Sequence, residues 1–400
     1  MFNPDLSIFN DNMFNQLRAH LAGLSAPAAM DEINLTIGEP QMPAPAMIAD
    51  VIASHADMWQ RYPKADGNQA FLDDVMHYIG YRFGQNVADI MQADKHIVPV
   101  VGTREPLHLL GQMVRNAKPD SIAFLPNPYY HAWRAGALGA GGEICFMPTS
   151  AETGFLPDLD LLDEARLERT NILYICTPSN PHGSFASKAY LQRLIKLARR
   201  YNFLLACDEC YIDVWRGEPP ISALQAAAEM GEGLSHLVVL NSLSKRSNAA
   251  GLRAGFLAGD EAAITLYKKF IANGAALVPV PLLNAAGALY RDAEHAERIR
   301  QHYETSFEIA KSYFDFDVPQ GGFFIWLPVG DDLAFVKQAY SEQALRIMPG
   351  QFMAKTTDEG NVGKGYVRIA LVHDHNIVKI ACQRLASLLD KASSQAIGKG

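Results

Sequence analysis

Three short motifs follow one another in this chain: Ser179-Asn180-Pro181-His182-Gly183, Asp208-Glu209-Cys210-Tyr211 and Ser242-Leu243-Ser244-Lys245, with Arg253 eight residues after the lysine. A lysine amine can form a Schiff base with an aldehyde, and a carboxylate can pair with a pyridinium nitrogen. An amide and a phenol can hold a ring hydroxyl, while two hydroxyls and a guanidinium can bind a phosphate. The small molecule that needs all of these at once is pyridoxal 5'-phosphate.

Taken singly, each residue has a plainer reading. Lys245 after Ser-x-Ser is otherwise a solvated loop cation, and Ser242 and Ser244 are otherwise turn or cap residues. Asp208 is otherwise a helix N-cap and Tyr211 an amphipathic core tyrosine. Asn180 before Pro181 is otherwise a turn initiator. Arg253 resists the plain reading, because Gly251-Leu252-Arg253 leads into an apolar strand where an unpaired guanidinium would be costly. Two further segments gain weight from this company. Gly102 and Thr103 stand where the apolar run to Val101 turns into a helical pattern, a junction that offers backbone N–H groups and a positive helix end to a phosphate. Tyr130, after another apolar run, is placed to stack on a pyridine face, or else to serve as core or rim. Arg368 can grip an α-carboxylate with two parallel hydrogen bonds, its alternative being a strand-edge ion pair.

The elements that must position these groups are legible as alternating patterns. Short apolar runs at Ile97 to Val101, Ile122 to Leu125, Ile144 to Met147, Ile172 to Cys176, Phe203 to Cys207, Leu237 to Leu240 and Ala254 to Ala258 are separated in several places by helix-period segments such as Glu105 to Asn116 and Lys188 to Tyr201. This predicts an α/β fold with a mainly parallel central sheet, whose ligands sit beyond the carboxyl ends of the strands. The apolar run Gly322 to Leu327, a second at Tyr366 to Val372 and helical segments around them predict a smaller α+β domain. The expected division is an N-terminal segment 1–68 belonging to the small domain, a large cofactor-binding domain 69–290 and a C-terminal small domain 291–400.

Composition removes several classes of function. A net charge of −8 without clustered Lys and Arg argues against nucleic-acid binding. No apolar stretch reaches the roughly 20 residues of a membrane span, and the first residues lack a secretory pattern, so a cytoplasmic protein with small-molecule partners is expected. Five cysteines do not suggest a disulfide framework, and Cys207-x-x-Cys210 reads as buried thiols; no metal is expected.

With its motifs in order from Ile37-Gly38-Glu39-Pro40 to Tyr366-Val367-Arg368-Ile369-Ala370, the chain resembles the class I/II aminotransferases of the aspartate aminotransferase superfamily, fold type I. The resemblance implies that Lys245 carries the cofactor and shuttles a proton, that Asp208 partners the ring nitrogen, and that Asn180 and Tyr211 hold the ring oxygen. It assigns Arg253, Ser242, Ser244 and the backbone of Gly102 and Thr103 to the phosphate, Tyr130 to ring stacking, and Gly38, Asn180 and Arg368 to the substrate. Tyr62, in Tyr62-Pro63-x-x-x-Gly67, matches a tyrosine that reaches the phosphate of a neighbouring subunit, which implies a homodimer. The implied reaction moves an amino group between an L-amino acid and a 2-oxoacid, 2-oxoglutarate and glutamate being the expected pair.

Two local patterns, Gly102 to Glu105 and Ser244 to Asn248, together with Gly365 to Val372, are similar to the N-succinyldiaminopimelate aminotransferases of lysine biosynthesis. Pro106 and the stretches 64–68 and 355–363 depart from that pattern, leaving aspartate, aromatic or broad-specificity donors as alternatives. A lyase or acyltransferase of the same fold type, a non-catalytic regulator and a structural binding protein are the rival classes. Arg18, Arg104, Arg246 and Trp133 are candidates for contacts to the distal part of the substrate.

Overall fold

Seven strands form the central sheet of the computed structural model, which describes residues 4–10 and 12–397, with side chains through residue 391. They are β1 (Ile97–Val100), β2 (Ile122–Asn127), β3 (Glu143–Pro148), β4 (Thr170–Cys176), β5 (Leu204–Asp208), β6 (Leu237–Ser242) and β7 (Gly255–Gly259), in the spatial order β1-β7-β6-β5-β4-β2-β3. Only β7 runs against its neighbours. Most of these strands are buried along their full length, so they read as continuous apolar runs and not as an alternation.

Helices cover both faces. Helix Lys188–Tyr201 buries Leu191, Leu194, Ile195 and Ala198 along one stripe. It starts where Ser187 accepts from the Tyr190 amide and stops at Asn202, whose left-handed backbone ends the helix. Each such buried Leu or Ile contributes about 2 kcal/mol through area removed from water. Helices Arg104–Met113 and His131–Ala140 touch without any intervening side chain. A Cβ on Gly136 would stand 2.2 Å from the Leu107 carbonyl oxygen and 2.3 Å from the Tyr174 hydroxyl. That contact fixes two helix starts, at Arg104 and at His131, relative to each other and to β4.

Three further strands, β8 (Phe324–Pro328), β9 (Met348–Pro349) and β10 (Tyr366–Ala370), form an antiparallel group in the order β9-β10-β8. The N-terminal segment returns to this part of the molecule, since Ile33 and Asn34 pair in parallel with Leu345 and Arg346. This pairing leads directly to Thr36 and Gly38, which it delivers to the edge of the central sheet's carboxyl ends.

Candidate active site

The register of the central sheet brings the chemistry together. Val100 at the end of β1 and Ser242 at the end of β6 both lie opposite Gly255 at the start of the reversed β7. Asp208 at the end of β5 lies between Leu240 on one side and Cys176 on the other. Beyond these ends is a cavity of about 520 Å³. Lys245, Asp208 and Tyr211 line it, as do Thr103, Tyr130, Asn180 and Gly38. Ser242, Ser244, Arg253 and Arg368 complete the wall. Residues at or just beyond five strand ends and from the small antiparallel group therefore face one volume.

Gly102 stands just behind this wall. Its backbone is left-handed, φ 79°, and a Cβ there would meet the Arg253 guanidinium at 2.5 Å. Arg253 itself differs from the expectation of a strand guanidinium. It follows the turn Ala250–Leu252 with φ 55°, is exposed, and donates to the carbonyls of Ala250 at 2.7 Å and Val101 at 2.9 Å. These bonds hold the cation beside the Gly102-Thr103 turn while leaving its outer edge toward the cavity. Ser242 Oγ donates to Ser244 Oγ at 2.9 Å and accepts from the Ser244 amide at 3.2 Å. Helix Arg104–Met113 begins after Thr103 without any side-chain cap, so its first N–H groups stay available for an anion.

Lys245 is half-buried, and its Nζ donates to the Gly38 carbonyl. The amine lies 5.4 Å from the Phe323 ring centre and 6.0 Å from that of Tyr211. Burial lowers its pKa to about 8, assisted by the cations Arg368 and Arg104 and opposed by Cys210 and Glu39. A free amine is the nucleophile, so uptake of an aldehyde should slow about tenfold per pH unit below 8 and level off above it. Stopped-flow mixing of apoprotein with pyridoxal phosphate between pH 6 and 10 measures this; a rate still climbing at pH 10 would mean an unshifted lysine.

Asp208 is 2% exposed, and burial raises its pKa, against the hydrogen bonds from Cys210 and Trp133 and the charge of Lys245. Tyr211 is buried, which pushes its hydroxyl well above the ordinary range and keeps it a neutral donor. Arg368 is held between Asn180 Oδ1, at 3.1 Å from Nη1, and the Thr36 carbonyl, at 2.5 Å from Nη2, with its guanidinium 4.4 Å from the Phe324 ring centre. Its Nε is buried with no hydrogen-bond partner among the described residues. Gly38 must lack a side chain, because a Cβ would fall 2.4 Å from Phe324. If Arg368 grips a carboxylate through two N–H groups, Arg368→Lys should lower kcat/KM by roughly thirty-fold, about 2 kcal/mol. Steady-state kinetics with donor and 2-oxoacid test this, an unchanged value placing the carboxylate elsewhere.

Among the residues expected at the distal part of a substrate, the structure separates four cases. Arg104 lines the cavity, its Nε donating to Tyr130 Oη at 3.3 Å. Trp133 lines it too, but its indole N–H donates to Asp208 Oδ2 at 3.1 Å. Arg18 is exposed beside Asn15 and does not line the cavity. Arg246 faces away: it is 2% exposed, with Nε 3.1 Å from Asp213 Oδ2, and it donates to Leu289, Tyr81 and Asp292. The helical turn Leu243–Arg246 points Lys245 into the cavity and its neighbour beneath it, a consequence of roughly 100° per residue. Tyr62 is not part of this cavity and is 98% exposed.

The sequence reading passed over Phe324, Met353 and Glu39 as wall residues. Only the Gly-Glu-Pro turn carried any sign of Glu39, and nothing local marks Met353, which a loop after β9 delivers. Cys207 is buried in β5, and Cys210 faces the cavity; all five cysteines are unpaired.

Residues 30–385 match the family Aminotransferase class I and II. The chain is a class I and II aminotransferase. Its cofactor is pyridoxal phosphate. An aminotransferase of Neisseria meningitidis superposes with a TM-score of 0.89 at 34% identity, covering 94% of this chain and 97% of the other. The aminotransferase AspB of Helicobacter pylori gives 0.86 at 28% identity over 97% and 98%. The LL-diaminopimelate aminotransferase of Moorella thermoacetica is 28% identical over 90% of this chain and 92% of its own length. The residues present fit the cofactor: an uncapped helix start whose Gly102 leaves room beside Arg253, a buried carboxylate bonded by neutral donors, and a lysine whose pKa burial lowers to about 8.

Proposed function

We propose that this aminotransferase acts on a donor with a second, distal carboxylate, of the diaminopimelate type, with 2-oxoglutarate as acceptor. The observation that carries this reading is a second cation, Arg104, lining the same cavity as Arg368. Names of relatives that include LL-diaminopimelate aminotransferase support it. Such a donor belongs to lysine biosynthesis.

Bound in the cavity, pyridoxal phosphate supplies an electrophilic carbon and a ring that takes up the electron pair left when the substrate loses its α-proton. The chain's residues do the rest. Ser242, Ser244, Arg253 and the Gly102-Thr103 backbone hold the phosphate, and Tyr130 covers one ring face. Asp208 keeps the ring nitrogen protonated by its charge, while Asn180 and Tyr211 donate to the ring oxygen. Arg368 and Gly38 orient the α-carboxylate. Lys245, as a neutral amine, would take the α-proton and deliver it to the cofactor's former aldehyde carbon, on the far side of the nitrogen that joins it to the substrate.

A homodimer fits the exposure of Tyr62, which stands 98% exposed on its own subunit. Five unpaired cysteines suit the reducing cytoplasm. Among the described residues no helix is long and apolar enough to cross a membrane. Small-domain segments 1–68 and 291–400 around a large domain 69–290 agree with the pairing of Ile33–Asn34 and Leu345–Arg346.

Donor comparison tests the substrate. LL-diaminopimelate, its N-succinyl derivative, glutamate, aspartate and phenylalanine should be ranked by kcat/KM with 2-oxoglutarate. Arg104→Ser should cost the dicarboxylates roughly tenfold, the loss of one charge-assisted bond, and leave phenylalanine unchanged. Better turnover of phenylalanine than of every dicarboxylate would defeat the proposal.

A further inference from the structure

Asp208 has one neutral partner that comes from a distant part of the chain. Trp133, 1% exposed, donates its indole N–H to Oδ2 at 3.1 Å, while Oδ1 receives the Cys210 amide at 3.3 Å. The indole has no freedom to turn away. It sits in the first turn of helix His131–Ala140, its own amide bonded to the Tyr130 carbonyl at 3.0 Å. Its ring meets that of Tyr130 edge-on at 5.9 Å. The helix is pressed onto helix Arg104–Met113 and Tyr174 through Gly136, with no side chain to yield.

We infer that Trp133 is a positioning residue that fixes the Asp208 carboxylate, in its ionised form, against the ring nitrogen of the cofactor. The inference rests on the reading of Asp208 as the ring-nitrogen partner. An indole suits this task better than a cation would. An arginine at that place would neutralise the carboxylate and remove its pull on the ring proton. A neutral N–H satisfies one lone pair, restrains rotation, and leaves the negative charge to the ring. The Cys210 thiol and amide are the other neutral donors to Asp208, but both belong to the segment that directly follows it, so only the indole ties the carboxylate to a separate element. Lys245 is the cation that acts on it, Cys176, Cys210 and Tyr130 are held neutral by burial, and Glu209 is turned to Ser222 and the Ala223 amide. Loss of the indole N–H would weaken the carboxylate's hold on its charge and, through it, the ring's hold on its proton.

Pyridoxine 5'-phosphate, an alcohol that cannot condense with Lys245, isolates this interaction from turnover. Its ultraviolet spectrum reports ring-nitrogen protonation, so the bound ligand can be titrated. In Trp133→Phe the bound ring should lose its proton roughly one pH unit lower than in the unaltered protein, a tenfold change in the equilibrium. In an Asp208→Asn background the same substitution should change nothing, the mark of two residues acting as one unit. A shift in both backgrounds, or in neither, would overturn the inference. Should Trp133→Phe fail to fold, indole N–H resonances of the unaltered protein decide. One should move when pyridoxine phosphate binds and be displaced in Asp208→Asn; four indole signals indifferent to both would overturn it equally. If the unaltered protein did not bind pyridoxine phosphate at all, the placement of the cofactor would fall, and this inference with it.

Discussion

Lys245→Ala is expected to lower kcat on the order of 10⁴-fold while leaving the protein folded. Nothing else on the cavity wall can replace the amine. The wall's other nitrogen bases are Arg104, Arg253, Arg368 and His131. The guanidiniums stay protonated, since even Arg368, lowered by burial, keeps a pKa of about 10. His131 is pushed down to about 4 by burial and by Arg104, Arg134 and Arg368, which makes it a poor base near neutrality. General acid–base groups contribute about 10²–10⁴-fold, and here one group serves both directions of the proton transfer, so the upper end applies. Burial of a lysine is unfavourable to stability, so its removal should not lower the melting temperature. Single-turnover absorbance measurements and calorimetry check both halves; residual turnover within tenfold of the unaltered enzyme would reject the assignment.

The second large effect concerns stability. Arg246→Met should destabilise the protein by about 3–5 kcal/mol, because it leaves Asp213 with one charged partner fewer in a buried setting. Asp213 is bound on both sides, by Arg246 at 3.1 Å and by Arg82 at 2.9 Å, and it also accepts from the Tyr78 hydroxyl at 2.8 Å. Arg246 in turn lies over the Tyr78 and Tyr290 rings at 5.2 and 5.7 Å. The pair joins the segment after Lys245 to the segment after Tyr211, so loosening it should loosen both sides of the cavity. A large drop in melting temperature is expected for Arg246→Met and for Asp213→Asn, with the double variant less destabilised than the sum. Unchanged melting would show the pair to be solvated in solution.

The meeting of the candidate site residues in one cavity was legible in the sequence because they sit at strand ends, where an apolar run gives way to a polar triplet at once. Asp208, Ser242 and Lys245 are such cases, and the parallel sheet converts their order in the chain into adjacency in space. The strands were legible for a related reason: burial on both faces writes them as unbroken apolar runs. Orientation within a helical turn was not legible. Arg246 and Trp133 look like free functional groups in the sequence, yet the turn after Ser242 sends Arg246 beneath the site, and the first turn of helix His131–Ala140 sends the Trp133 indole to Asp208. The direction of β7 was also hidden, since a buried antiparallel strand has the same composition as a parallel one. So was Arg253, whose left-handed turn and carbonyl partners depend on Val101, far away in the chain.

The most direct test of the central claim is to load the protein with pyridoxal phosphate, reduce it with borohydride and map the modified peptide by mass spectrometry. The structure predicts one stoichiometric label, on Lys245. A label on another lysine, or none, would contradict the account.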